Sequence, residues 1–167
     1  YFTDCLNESY EIFKLTYCSF DPTVYPLVDG LGFMKDVENV PDSSSIDSLR
    51  ALLGFQNGRH FTWDTDSIGH IEAPYIKKIT PGAKLDFNAI AQGQAVDVLA
   101  DLIESKGGEN YFVEIGGEIK VKGKNKDGVD WRIGIDKPVE ESDESNRELQ
   151  EIIELENKAV ATSGSYR

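Results

Sequence analysis

LDFNAIAQGQAVD, residues 85–97, joins a predicted strand to a predicted helix and is the most informative stretch of this sequence. Its alanines and its glycine are small, so a ligand could approach the main chain closely there. The helix predicted over 94–105 would present free N–H groups and the positive end of its dipole to an anion. The small residues are Ala89, Ala91 and Gly93. The pattern therefore predicts a strand end, a short irregular segment and then a helix that faces the ligand.

Asp86 stands where the predicted strand ends. A carboxylate at this position could contact a ligand hydroxyl, an amine or a metal. The alternative is a plain connection between strand and helix, in which Asp86 or Asn88 only caps the helix. The residues by themselves leave both interpretations open.

The sequence before this stretch predicts helices, turns and short strands. Apolar residues spaced three and four apart predict an amphipathic helix over 6–17. SFDPTVYPLVDGLGF, residues 19–33, contains prolines and glycines that argue against a regular helix or a central strand. Serines and an aspartate can cap a short helix over 46–53. Alternation of apolar and polar residues, in runs bounded by turn residues, predicts strands within 61–87.

The sequence after it predicts a helix followed by an antiparallel sheet. The helix would bury one stripe of its surface: Ala95, Val98, Leu99, Leu102 and Ile103. Gly-Gly and Asp-Gly turn signals separate three strand patterns and predict a β-meander over residues 111–115, 118–123 and 131–135. The acidic run 139–151 is predicted to be a solvated loop, and 158–162 a last strand. The predicted class is α+β, with helices packed on an antiparallel or mixed sheet in a single domain over 1–167.

The composition limits the possible partners. The chain has 167 residues, of which 40% are hydrophobic, and its formal net charge is -13. Such a surface repels nucleic acids and anionic membranes, so neither is an expected partner. A phosphorylated ligand could still be held by backbone N–H groups and a divalent metal. The sequence contains no membrane-spanning stretch and no signal peptide, and both of its ends are predicted to be cuts within a longer protein.

Several residues suggest other sites, and each has a simpler interpretation. Cys5 and Cys18 match no metal motif and are predicted to be partly buried thiols, with a single bridge possible in an oxidising compartment. His60 is predicted to lie on the surface rather than in a catalytic site. The acidic and histidine side chains of WDTDSIGHIE are expected to point to opposite faces of their strands rather than to bind a metal: Asp64, Asp66, His70 and Glu72.

A second pair of carboxylates brackets the double glycine. Glu114 and Glu118 could indicate paired-carboxylate catalysis. Solvation at a strand edge or a hydrogen-bonded turn is the simpler interpretation, and no catalytic residue is assigned.

Four segments, in order along the chain, resemble the motifs of the ApbE family of FAD:protein FMN transferases. Residues 85–97 resemble the family's signature of aspartate, two small residues, isoleucine, alanine and glycine, and 19–33 resemble its Phe-Asp-Pro-Thr-Val block. FVEIGGEIKVKG, residues 112–123, resembles its double-glycine strand pair. AVATSGSYR, residues 159–167, resembles its Ala-Thr-Ser-Gly-x-Tyr block. Because the four motifs span nearly the whole chain, the resemblance is specific.

The resemblance implies an enzyme that binds FAD and, with Mg²⁺, moves FMN onto a Thr or Ser hydroxyl of a target flavoprotein, releasing AMP. Ala89 falls where the family offers a metal ligand, and its backbone carbonyl would serve because alanine has no donor side chain. The resemblance places FAD contacts on Ser19, Phe20, Asp21, Asp86 and Gln92.

The chain also departs from the family pattern. Gln92 replaces a charged residue, Gln94 an aromatic one, and Leu31 stands where a tryptophan often occurs. The remaining metal ligands, an Asp and a Thr side chain, are expected nearer the family's C-terminus, and its N-terminal Met-Gly-Thr segment is expected upstream. The domain is therefore predicted to be incomplete at both termini.

Two alternative functions remain open at this point. One is a protein of the same fold that binds FAD without transferring FMN, and the other is a pyrophosphatase that hydrolyses FAD to FMN and AMP. The resemblance further implies export to the periplasm or cell surface, with a lipid anchor upstream of Tyr1. A signal sequence is therefore expected in the parent gene.

Overall fold

The computed structural model describes residues 1–33, 41–66, 69–72, 76–137 and 148–163. The chain groups into two compact units, Tyr1–Ile90 and Ala91–Arg167. The first unit contains α1 (Phe2–Leu15), α2 (Tyr25–Gly30), α3 (Ser43–Arg50), β1 (Phe61–Thr62), β2 (Lys77–Lys78) and the start of α4 (Asn88–Ser105). The second contains the rest of α4 with β3 (Tyr111–Ile115), β4 (Glu118–Lys122), β5 (Trp131–Asp136), β6 (Leu149–Leu155) and β7 (Lys158–Val160).

The core of the first unit is aromatic. Phe55 is fully buried, and its ring centroid lies 5.1 Å from that of Trp63 and 6.0 Å from that of Phe13. Helix α1 contributes Phe13 and Leu6, so the predicted amphipathic helix is confirmed, although it begins four residues before the predicted start. Burial of these aromatic side chains stabilises the unit, because each aromatic side chain typically removes about 150–250 Å² of surface from water.

Asn7 on α1 replaces a missing strand partner. Its side-chain amide donates to the Ile71 carbonyl at 3.2 Å and accepts from the Ile71 N–H at 2.6 Å. Ile71 is only 2% exposed, so water has little access to its main chain. The amide therefore satisfies both backbone groups of a residue that has little regular sheet around it.

Three predictions for the first unit need correction. Residues 25–30 form α2, although the prolines and glycines of this segment had argued against a regular helix. Pro26 is tolerated because it falls in the first turn, where no N–H is needed. Helix α3 starts at Ser43 rather than 46, because Asp42 caps it by accepting from the Ser45 N–H. Among the described residues of 61–87, the predicted strands reduce to β1, β2 and a bridge between Thr65 and Ile71.

Helix α4 begins at Asn88, not at 94, so the predicted irregular segment is wrong. The Asp86 carboxylate accepts from the Asn88 N–H at 2.8 Å and caps the first turn. Alanine is the best helix former, and with this cap the small residues continue the helix instead of breaking it.

The predicted buried stripe of α4 is also wrong in part. Val96 and Ala100 are the buried residues, and they pack on Tyr111 and Val113 of β3. Three members of the predicted stripe are instead exposed: Val98, Leu99 and Leu102.

The strands of the second unit form two antiparallel groups, β3-β4-β7 and β5-β6. Gly116 and Gly117 both have positive φ and form a two-residue hairpin between β3 and β4, as predicted. The meander prediction fails after β4, because β4 pairs with β7 and β5 pairs with β6, a strand that starts inside the predicted acidic loop. Residues 139–147 of that loop lie outside the described residues.

The two groups of strands share a core within the second unit. Val121 of β4 is 1% exposed and clusters with Ile133 of β5 and Leu155 of β6. The Trp131 indole N–H donates to the Lys122 carbonyl at 3.0 Å. The α+β class is confirmed. Among the described residues, no helix combines the length and the apolar character of a membrane span.

We expect Asn7→Ala to lower the free energy of unfolding by about 1–3 kcal/mol, because it leaves both backbone groups of Ile71 without a partner. Urea unfolding of the variant and the wild type measures the difference. Glu8→Ala is the matched control, because Glu8 is exposed on the same helix. Equal losses from both variants would contradict this role for Asn7.

We expect Tyr111 to titrate unusually late. Burial, together with the hydrogen bond that its hydroxyl donates to Glu104, raises the pKa of Tyr111 to about 12. The folded state therefore holds this proton more tightly than the unfolded chain does. Its stabilising contribution is complete below the unfolded tyrosine pKa of about 10 and is lost as the pH rises through about 12.

The difference in phenolate absorbance between wild type and Tyr111→Phe measures this titration. Glu104→Gln should lower the pKa of Tyr111 yet leave it above its usual range, because burial is the larger cause. A difference spectrum with its midpoint near 10 would contradict the assignment.

Candidate functional site

A cleft of about 580 Å³ in the first unit brings two of the sequence motifs together. One wall comes from the segment that follows α1, and the other from the start of α4. Nine residues line it: Cys18, Ser19, Phe20, Asp21, Val24, Leu53, Asp86, Asn88 and Ala89. Five of the six residues predicted to contact FAD or metal therefore share one cleft, which we call the Asp21–Asp86 cleft.

The sharp end of α1 positions Ser19 and Phe20. Tyr17 and Cys18 both adopt positive φ, which turns the chain back over the last helical turn. The Thr16 hydroxyl then accepts a hydrogen bond from the Phe20 N–H at 3.0 Å and bonds to the Ile12 carbonyl at 2.7 Å. Thr16 thus holds the first motif to α1 at the point where it enters the cleft.

The Asp21 carboxylate is held by a local turn. Its Oδ1 atom accepts from the Thr23 N–H at 2.8 Å and from the Thr23 hydroxyl at 2.5 Å. In the described part of the chain the second oxygen, Oδ2, has no hydrogen-bond partner. One oxygen of Asp21 is therefore used for structure, and the other is available to a ligand.

Asp86 connects the two walls. Its N–H donates to the Pro22 carbonyl at 2.7 Å, and its Oδ1 atom caps α4 through the Asn88 N–H. The capping alternative for Asp86 is thus observed. The contact of Asp86 with a ligand stays a prediction, and its other oxygen is the atom that could make it.

The electrostatics of this cleft combine two opposite features. The first turn of α4, where the helix dipole has its positive end, contributes Asn88 and Ala89 to the lining. Asp21 and Asp86 add two carboxylates, which would repel a phosphate placed against them. Such a site suits a ligand that brings hydroxyl or amine donors to the carboxylates and anionic oxygens to the helix or to a cation.

Gln92, the sixth predicted residue, lies in the second unit. It sits on α4, and its side-chain nitrogen occupies the space that a Cβ on Gly116 would need. Gly116 therefore permits the close approach of Gln92 to the double-glycine turn. The role of Gln92 in FAD binding stays a prediction.

The second unit has its own larger cleft, of about 820 Å³, lined by the third and fourth motifs together with residues of β5 and β6. Its lining includes Gly116 and Gly117 of the hairpin and Thr162 and Ser163 of the last motif. The residues after Ser163 lie outside the described part of the chain.

The simpler interpretations hold for most of the other candidates. No group of three His, Cys, Asp or Glu side chains in the described ranges could hold a metal ion. Asp66 accepts from the His70 N–H at 2.8 Å and closes a turn. Glu114 pairs with Ile119 and Glu118 with Ile115, so the two glutamates lie on opposite faces of the hairpin and cannot act as a catalytic pair. Cys5 and Cys18 were predicted to be partly buried thiols. Neither forms a disulfide bond, but Cys5 is buried and Cys18 is exposed, so the prediction of partial burial is wrong for Cys18.

His60 is not on the surface as predicted. It is 7% exposed, and its ring nitrogens lie 3.1 Å from the Thr80 hydroxyl and 3.1 Å from the Leu53 carbonyl. These two contacts satisfy the buried imidazole and join the loops that contain Leu53 and Thr80.

Sequence reasoning gave no site role to six residues that shape the Asp21–Asp86 cleft. Thr16 and Thr23 act through hydrogen bonds. The other four line the wall: Cys18, Val24, Leu53 and Asn88. A signal existed for Thr23, because an aspartate two residues before a hydroxyl residue is a common turn pattern. Leu53 had none, since it comes from another part of the chain.

Comparison with known proteins identifies the family. The sequence model of the ApbE family matches residues 1–167. The chain belongs to the ApbE family. An FAD:protein FMN transferase from Vibrio cholerae is 42% identical over 164 residues, which are 97% of this chain and 45% of that protein. The corresponding protein from Haemophilus influenzae is 35% identical, with 99% of this chain and 46% of that protein covered.

Solved structures agree with this assignment. The flavin transferase ApbE from Vibrio cholerae superposes with a TM-score of 0.76 at 40% identity, covering 98% of this chain and 49% of that one. The chain thus spans about half the length of the curated relatives that it matches.

Proposed function

We propose that the protein containing this chain is an FAD:protein FMN transferase, which moves FMN from FAD onto a Thr or Ser hydroxyl of a target flavoprotein. The observation that carries the proposal is the gathering of Ser19, Phe20, Asp21, Asp86 and Ala89 around one cleft. Those residues come from two motifs that are distant in sequence. Family membership and the names of the relatives support the same reaction.

The proposed reaction is a phosphoryl-group transfer. The acceptor hydroxyl oxygen forms a bond to the phosphorus of the FMN half of FAD, and the bond from that phosphorus to the bridging oxygen breaks. AMP leaves with the bridging oxygen, and the hydroxyl proton is released. Positioning and charge neutralisation supply most of the catalysis in such reactions.

The residues of the Asp21–Asp86 cleft would bind FAD rather than react with it. The free oxygens of Asp21 and Asp86 can accept from ribose hydroxyls or a base amine, and the half-buried Phe20 offers an aromatic surface. In the first turn of α4 the Asn88 N–H is used by Asp86 and the Ile90 N–H by the Phe87 carbonyl, so the pyrophosphate would use the Ala89 N–H and the positive end of the helix dipole. The contact of Gln92 with FAD is proposed from the family resemblance alone.

Magnesium fits the donor chemistry of this cleft. The available atoms are carboxylate and carbonyl oxygens, which Mg²⁺ prefers. Ala89 lies in the first turn of α4, where its carbonyl keeps a second lone pair beside the bond that a helix uses. We propose that this carbonyl is one ligand and that the others come from FAD phosphates and from residues outside this chain. Bound Mg²⁺ would neutralise charge on the pyrophosphate.

Two alternatives remain, and both also use a bound FAD. A protein that binds FAD without transfer would give neither FMN ester nor AMP, and a pyrophosphatase would give free FMN and AMP. The names of the relatives favour the transferase. Export to the periplasm or cell surface with a lipid anchor is a further proposal from the family resemblance, and a signal sequence upstream of Tyr1 in the parent gene would support it.

We expect Asp86→Ala to raise the dissociation constant for FAD at least about tenfold, because a charge-assisted hydrogen bond contributes roughly 1.5–3 kcal/mol. Fluorescence titration of the full-length protein measures it. Asp86→Asn separates the capping role from the charge, since the amide oxygen can still accept from the Asn88 N–H. The control is Asp47→Ala, because the Asp47 side chain is 76% exposed and lies outside the cleft. Unchanged FAD affinity in a folded Asp86→Ala protein would remove Asp86 from the site.

We expect the full-length protein to form covalent flavin on a target flavoprotein and to release one AMP per flavin, only when Mg²⁺ is present. Chromatography of the nucleotides, with gel fluorescence of the acceptor, measures both products. Replacing the acceptor hydroxyl residue of the target by alanine is the control. Free FMN that accumulates equally with and without acceptor would favour the pyrophosphatase, and binding without any product would favour the FAD-binding alternative.

A further inference from the structure

We propose that Thr23 is a positioning residue for this cleft, one that fixes the Asp21 carboxylate in the orientation that the ligand needs. The inference rests on the proposed FAD site. Thr23 itself does not line the cleft and would not touch the ligand.

The side chain of Thr23 is fully buried, and its hydroxyl makes two hydrogen bonds. The hydroxyl oxygen accepts from the Gly54 N–H at 2.8 Å, and the hydroxyl donates to Asp21 Oδ1 at 2.5 Å. Because the Gly54 N–H can only donate, the single hydroxyl hydrogen is left for the carboxylate. The direction of this pair of bonds is therefore determined by the backbone.

This arrangement acts on one oxygen of Asp21. Oδ1 receives both the hydroxyl and the Thr23 N–H, so rotation of the carboxylate would break two bonds at once. A buried hydroxyl without its partner is costly, which further restrains the side chain. Oδ2 is thereby directed away from Thr23 and is the oxygen that a ligand hydroxyl or amine can use.

The same hydroxyl also links the cleft's third segment. Gly54 follows Leu53, which lines the cleft, and the Leu53 carbonyl lies 3.1 Å from His60 Nε2. Gly54 is buried with a φ of +127°, and a Cβ there would lie 2.6 Å from Arg59 Cδ. The Gly54 N–H therefore reaches Thr23 only because the residue is glycine. Thr23 thus fixes the position of Asp21 relative to the Leu53–Gly54 segment.

The first test compares two variants of the full-length protein. Thr23→Val keeps the shape and removes the hydroxyl, and we expect it to raise the dissociation constant for FAD at least about fivefold. Thr23→Ser keeps the hydroxyl and should remain within about twofold of wild type. Ser9→Ala is the matched control, because the Ser9 hydroxyl is also fully buried in this unit but has no hydrogen-bond partner among the described residues. Equal affinity of the Val and Ser variants would overturn the proposal.

A double-mutant cycle tests whether Thr23 acts through Asp21. Once Asp21→Ala has removed the carboxylate, Thr23→Val should have little further effect on FAD affinity. An undiminished effect in the Asp21→Ala background would show that Thr23 acts by another route and would refute the inference.

Asp21→Glu tests the same idea without changing Thr23, which matters if Thr23→Val does not fold. The longer side chain keeps the charge but cannot keep both bonds to Thr23 in this turn. We expect it to bind FAD as weakly as Asp21→Ala, and wild-type affinity would contradict the proposal. A wild-type protein that binds no FAD would overturn the proposed function and this inference together. Weakening by Asp21→Ala but not by Thr23→Val would overturn this inference alone.

Discussion

The hydrogen bond from the Asp86 N–H to the Pro22 carbonyl joins the two segments on which the candidate site depends. Pro22 cannot donate a backbone hydrogen bond, but its carbonyl accepts, and the residue is buried. The bond places the start of α4 beside the turn that contains Asp21. The bond thus helps to bring the helix N-terminus, the first motif and their carboxylates to one cleft.

The aromatic core of the first unit stabilises the segments that make this contact. Phe13 lies near the end of α1, directly before the turn that leads to Ser19, and Phe55 follows the Leu53–Gly54 segment. Two of the three segments that line the cleft are thus continuous with a buried aromatic side chain, and the third contains the partly buried Phe87. Because protein interiors are close-packed, movement of one wall would require repacking of the core. This is the physical basis for regarding the cleft as pre-formed.

The charge of the chain is compatible with the proposed nucleotide ligand, because phosphate can be bound without lysine or arginine. The formal net charge is -13, and the cleft itself contains two carboxylates. Hydrogen bonds from a helix N-terminus and a cation held by oxygen atoms can bind phosphate in such surroundings. The acidic surface then disfavours nucleic acids, while a small dinucleotide such as FAD remains an acceptable ligand.

Local spacing and residues with special backbone freedom were enough to identify the family, the α+β class, helix α1 and the double-glycine hairpin. They did not place the start of α4 or the partner of β5. The start of α4 depends on an Asp86 whose N–H is bonded to the distant Pro22, and β5 does not pair with β4 because β7 occupies that edge. The motifs likewise named Asp21 and Asp86 separately. That the two face one cleft, and that Thr23 uses one oxygen of Asp21, follows only from the fold, because hydrogen-bond direction at a buried hydroxyl is set by neighbours from other parts of the chain.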